Sequence, residues 1–90
     1  MNYELKPHLE KILEKLKKKD QVAHQAVKAK IIEIVNTNPE HYKPLKHNMK
    51  TIKSVHVMKS FVLIFTYDQR ADFLSFLDYD HHDNIYRKYR

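Results

Sequence analysis

Apolar positions at Leu9, Ile12, Leu13 and Leu16 follow the i, i+3, i+4, i+7 spacing of one helical face, and Pro7 suits the first turn of that helix. Lys15, Lys17, Lys18 and Lys19 crowd its far end, where positive charge complements the helix dipole. Residues 2 to 6 read as a short edge strand that Pro7 stops. Asp20 then reads as the N-cap of a second helix with an apolar face of Ala23, Ala26, Val27, Ile31, Ile34 and Val35, ended by Asn36-Thr37-Asn38-Pro39. Only residues 17 to 20 are free to connect the two, which predicts an antiparallel helix pair facing a common sheet.

The helical period lapses from Glu40 to Lys50, where Pro39 and Pro44 mark an extended or turning path. Ile52, Val55 and Val57 lead into a first strand, with Lys59-Ser60 as the predicted turn. Phe61 to Phe65 is apolar without interruption, as expected of a central strand covered on both faces. Thr66 to Asp72 holds the next turn and Phe73 to Tyr79 supplies the third strand. Asp80 is the expected N-cap of a short terminal helix with Ile85, Tyr86 and Tyr89 on one side. The sum is an α+β fold: two antiparallel N-terminal helices on a three- to four-stranded antiparallel sheet, then a short C-terminal helix, as one domain over residues 1–90. The strand ends would carry His56 and the pair His81-His82.

Composition narrows what such a domain can do. There is no cysteine, so neither a disulfide nor a thiolate nucleophile is available, and a reducing, cytoplasmic setting is the default expectation. No apolar run approaches the ~20 residues that span a bilayer, and the N-terminus lacks the apolar centre of a signal peptide, so no membrane partner is expected. Glycine is also absent, which removes phosphate-binding glycine loops and leaves Asn or Asp to serve any turn with positive φ. Seventeen Lys plus Arg against eleven Asp plus Glu give a net charge of +6, favouring a polyanionic or acidic partner. Residues 41 to 67 contain no acid but include Lys43, Lys46, Lys50, Lys53 and Lys59.

Histidine, lysine and aromatic residues therefore carry the candidate chemistry. Cleavage of RNA by its own 2′-hydroxyl needs a base, an acid and positive charge on the developing phosphorane. Histidine, with an ordinary pKa of ~6.5, suits both proton transfers, and lysine or arginine the charge. His56, His82, Lys43, Lys59 and Arg87 form that kit, and Tyr86 can stack on a base. No cofactor or metal is required. A rival reading is a divalent-ion site in Asp78-Tyr79-Asp80-His81-His82-Asp83, although no helical HxxxH or HExxH spacing is present. A third reading is local, with the acids capping the terminal helix and the histidines on the surface. A basic RNA- or protein-binding module without catalysis also fits this composition.

The segment from Lys43 to Val57 resembles the RelE/ParE toxin superfamily, in particular its YafQ-like branch of mRNA interferases. That branch reads approximately His-Pro-Leu, Trp-Lys-Gly, a polar residue with His-Val, then an aromatic residue leading Leu-Ile-Tyr. Lys43-Pro44-Leu45, Met49-Lys50-Thr51, His56-Val57 and Phe61 to Phe65 fall into that register, and His82 and Tyr86 match a late histidine before a terminal aromatic. The resemblance implies a ribosome-dependent endoribonuclease that cuts mRNA, inhibits translation and is held inactive by an acidic, RelB-like antitoxin. By it His56, His82 and Lys43 are the catalytic candidates. Lys46, Lys50, Lys53, Lys59, Tyr86 and Arg87 are the RNA-binding candidates. A ParE-like DNA gyrase inhibitor shares the fold and is the alternative within the superfamily. Three positions depart from the pattern: Lys43 stands in place of histidine, Ser60 in place of aspartate, and the strand arginines of RelE-like members are missing. Lysine keeps the positive charge but is a poor base unless its pKa is lowered.

Overall fold

The computed structural model describes residues 2 to 45 and 51 to 89. Strand β1 (Asn2–Leu5) leads through Lys6 into helix α1 (Pro7–Lys19), where Pro7 occupies the first turn and needs no hydrogen-bonding partner for its nitrogen. Asp20 closes α1 and opens α2 (Gln21–Val35): its backbone N–H donates to Leu16 O at 2.7 Å and its carboxylate accepts the Ala23 N–H at 3.1 Å. One residue thus turns the corner at φ −149°, without the left-handed backbone for which the chain has no glycine. A short 3-10 turn (Pro39–His41) follows, then β2 (Ile52–His56), β3 (Phe61–Asp68), β4 (Phe73–His81) and α3 (His82–Lys88).

The sheet order is β1-β4-β3-β2. β2, β3 and β4 are antiparallel, but β1 pairs parallel to β4 (Asn2 with Phe73, Leu5 with Phe76), so the sheet is mixed rather than wholly antiparallel as expected. Two helices intervene between β1 and the rest, a connection long enough for parallel pairing. Along β3 the side chains alternate between two cores. Leu63 and Phe65 join Leu9, Leu13, Val27, Ile31 and Ile34 under the helix pair, while Val62 and Ile64 join Leu45 and Ile85 on the opposite face. The uninterrupted apolar run is therefore a strand covered on both sides.

A bulge between Ile64 and Phe65 pairs them with Asp78 and Phe76 and leaves Leu77 as the extra residue on β4. Side-chain phase reverses there: Leu74 and Phe76 face the helix pair before it and Tyr79 after it. Asp78 sits at the kink, 1% exposed. The β2–β3 turn is centred one residue earlier than expected, with positive φ at Met58 and Lys59, whereas the β3–β4 turn uses Asp72 for that geometry as the sequence led one to expect.

Candidate functional site

The ends of β2 and β4 and the start of β3 converge at one end of the sheet. His56 ends β2 opposite Val62, and His81 ends β4 opposite Phe61. The His82 N–H donates to the Ser60 carbonyl at 2.8 Å, tying the start of α3 to the β2–β3 turn. This brings His56 and His82, 26 positions apart in sequence, to a ring separation of 6.4 Å, and Tyr86 lies edge-on to His82 at 5.1 Å. Both histidines are exposed.

Beside them is an open cleft of about 400 Å³ lined by His41, Tyr42, Lys43, Pro44, Ser54, Val55, His56 and Tyr86. The stretch before β2 is stitched to it by Ser54 N–H to Lys43 O (3.1 Å) and Leu45 N–H to Ile52 O (2.7 Å), which carries Lys43 alongside His56. His41 was not singled out in the sequence. The available signal was its spacing of two residues from Lys43. Of the other candidates, Lys53 donates to Tyr42 O at 3.3 Å and lines a separate cavity near Arg70, Lys59 lines a cavity under the helix corner, and Arg87 is exposed on α3. Lys46 and Lys50 lie outside the described residues, as does Met49.

The start of α3 differs in detail from expectation. Its N-cap is His81, whose Nδ1 accepts the Asp83 N–H at 3.2 Å, and not Asp80. Asp80 is otherwise engaged: its carboxylate accepts from His81 N–H, Asn84 Nδ2 and Lys88 Nζ at 2.7, 3.2 and 2.9 Å. Its partial burial raises the pKa, but the bonds from Lys88, Asn84 and His81 outweigh that and hold the carboxyl below its usual range. Tyr86 also departs from expectation, because it is on the exposed His82 side of α3 whereas Ile85 is buried.

Asp78 clamps the other end of α3. Its Oδ2 accepts from Lys88 Nζ at 3.1 Å and Tyr89 OH at 3.3 Å, and its Oδ1 meets His8 Nε2 of α1 at 3.1 Å and the Tyr79 N–H at 2.8 Å. Burial lowers the Lys88 pKa, but bonds to Asp80 and Asp78 more than offset this and leave it raised. The helix presenting His82 and Tyr86 is thus held at both ends. His81, His82 and Asp83 also bring donor atoms within 4.8 Å of one another, but those atoms already serve the helix start: His81 Nδ1 is the cap, and His82 Nδ1 lies 3.0 Å from Asp83 Oδ1.

Compared with solved structures, the chain matches the crystal structure of YafQ from Escherichia coli with a TM-score of 0.66 over 94% of this chain and 97% of that one, at 19% identity. The chain therefore has the α+β fold of YafQ. Among curated proteins, one from Methanocaldococcus jannaschii named "Putative toxin RelE4" is 49% identical over 85 residues, 94% of this chain and 89% of that protein. A second, an uncharacterized protein of Methanosarcina mazei, is 42% identical over 82 residues, 91% of this chain and 94% of its own length. No family model matches. At this identity and coverage the chain belongs to the RelE toxin family, whose toxins imply an antitoxin partner. No helix among the described residues is long and apolar enough to cross a membrane.

Proposed function

We propose that this chain is the toxin of a type II toxin–antitoxin pair and that it cleaves mRNA on the ribosome by attack of an RNA 2′-hydroxyl on the adjacent phosphodiester. The observation that carries this is the approach of His56 and His82 to 6.4 Å at the mouth of a cleft that also holds Lys43 and Tyr86. At that separation both rings reach oxygens of one phosphate group. One histidine takes the 2′-hydroxyl proton as the O2′–P bond forms, and the other protonates the departing 5′-oxygen as the P–O5′ bond breaks. The products are a 2′,3′-cyclic phosphate and a 5′-hydroxyl, with no cofactor or metal in the scheme.

Lys43 faces this site from a stretch without acids and supplies charge to the developing phosphorane, which suits lysine better than a base's role does. Tyr86 stacks on a base beside the cut. Lys46, Lys50, Lys53, Lys59 and Arg87 hold phosphates of the mRNA or ribosomal RNA without reading sequence. Because the ribosome supplies the substrate's geometry, an open cleft suffices. The chain acts as a single domain in the cytoplasm until an acidic antitoxin covers it. The test is primer extension on translated mRNA, with His56→Ala and His82→Ala beside the unaltered chain. Ribosome-dependent cuts absent from both variants are expected. Intact mRNA with inhibited DNA supercoiling would instead indicate a gyrase poison, and intact mRNA with RNA binding a non-catalytic module.

A further inference from the structure

The stretch before β2 runs antiparallel to it, through the Pro44–Lys53 bridge and the bonds from Ser54 N–H to Lys43 O and Leu45 N–H to Ile52 O. Side chains along such a pair alternate between the two faces of the sheet. Tyr42 and Val55 therefore turn together to the helix-side core, where the Tyr42 ring meets Phe65 edge-on at 5.6 Å. Leu45 and Ile52 turn to the core under α3, and Lys43 and Ser54 share that face. The same pairing carried two residues further brings His41 alongside His56, and both line the cleft. Because β2 lies between this stretch and the rest of the sheet, His41 and His82 flank His56 from opposite sides. The backbone of His41 is fixed from behind: its N–H donates to Asn38 O at 3.1 Å, the Tyr42 N–H to Pro39 O at 3.2 Å, and Lys53 Nζ to Tyr42 O at 3.3 Å.

His41 is exposed and shares the cleft with Lys43, His56 and Tyr86, and no carboxylate lines it. Glu40, the acid next to His41 in the chain, lines a different cavity with Lys53 and Arg70. Among the described residues the side chains of His41, Lys43 and His56 take part in no ion pair. The occupant this charge selects is an anion. A phosphate held between His56 and His82 leaves His41 one place along the row, facing the next phosphate of the same strand. The cleft, about 400 Å³, is of a size that takes one small ligand, here the nucleotide joining those two phosphates. We propose that protonated His41 holds the RNA phosphate adjoining the one that is cut. The proposal rests on the RNA-cleaving reading of the site and gives it a second hold on the strand. The ring N–H donates to a non-bridging phosphate oxygen, a charge-assisted contact that fixes the backbone without reading the base.

The experiment titrates the full chain, followed by NMR, with a 2′-O-methyl RNA trinucleotide that cannot be cut and with two forms of it in which one or the other linkage is an uncharged methylphosphonate. At pH ~5.5, where imidazoles are mostly protonated, the His41 ring signals should shift saturably with the fully charged trinucleotide. That form should bind about fivefold more tightly than either methylphosphonate form. His41→Gln, at an exposed position, should keep the amide spectrum of the parent and lose most of the preference, and His41→Lys should restore it. By pH ~8 the preference should fade in the parent and persist in His41→Lys. An unmoved His41 ring, equal affinity for the three trinucleotides, an undiminished preference in His41→Gln or no rescue by lysine would overturn the proposal. The two readings fail separately. The preference in a chain that leaves mRNA uncut on the ribosome retains the phosphate contact and discards the nuclease, whereas ribosome-dependent cutting by a chain without the preference does the reverse.

Discussion

Tyr79 shows how a single side chain joins the core to the site. Burial, reinforced by Asp20, pushes its pKa up to about 12, while its hydroxyl satisfies the Val57 carbonyl next to His56. Removing the hydroxyl in Tyr79→Phe leaves that carbonyl unpaired and should lower unfolding free energy by about 1–2 kcal/mol in urea titrations. Because the folded pKa is raised, the favourable contribution is full below the unfolded value near 10 and is lost as pH rises through about 12. Ultraviolet titration should accordingly show Tyr79 resisting ionisation until the chain unfolds. At this scale residue chemistry and resemblance singled out His56, His82 and Lys43, whose nearness in space is what the fold adds, and capping rules made Asp20 legible. The exchange of Asp80 for His81 as the α3 cap was not, because both residues can accept at a helix start. In the structure Asp80 is already engaged by the His81 N–H, Asn84 and Lys88.

Among the elements, α3 is short and is held by side chains at both ends more than by its own hydrogen bonds. Asp78→Asn removes the charge facing Lys88 and His8, and amide exchange should quicken about tenfold in α3 while the β3 amides of Leu63 and Phe65 keep their protection. Uniform loss of protection would mean that Asp78 holds the whole sheet. The depressed Asp80 pKa sets an acid limit: its contribution is present above the unfolded value near 3.8 and disappears as pH falls through the lower folded value. The Asn84 side-chain amide should report that release by NMR below pH ~4. Helix spacing and the run Phe61–Phe65 made the helices and central strand legible. The direction of β1 was not, since a four-residue edge strand has the same alternation read either way. Nor was the bulge, whose extra residue Leu77 is apolar like its neighbours and breaks no local pattern.

Across the whole molecule, one sheet separates two cores and gathers three strand termini at one end. The helix-side core supplies rigidity, and its loss should be general: Phe65→Ala, at a fully buried position, should cost about 3–5 kcal/mol and reduce every activity together. The smaller core of Leu45, Val62, Ile64 and Ile85 seats α3, which carries His82 and Tyr86. The absence of acids from residues 41 to 67 made the basic character of this end legible, but which lysines share a cavity depends on register: Lys43 joins His56 through the pairing before β2, whereas Lys53 and Lys59 line other cavities. If, as proposed, two histidines pass protons across an RNA phosphodiester, the ends of the fragments record it. Messenger RNA recovered from translating ribosomes should carry 5′-hydroxyls, labelled by polynucleotide kinase without prior phosphatase, and 2′,3′-cyclic phosphates, with neither formed by His56→Ala or His82→Ala. Fragments bearing 5′-phosphates, or unchanged cutting by either variant, would contradict it.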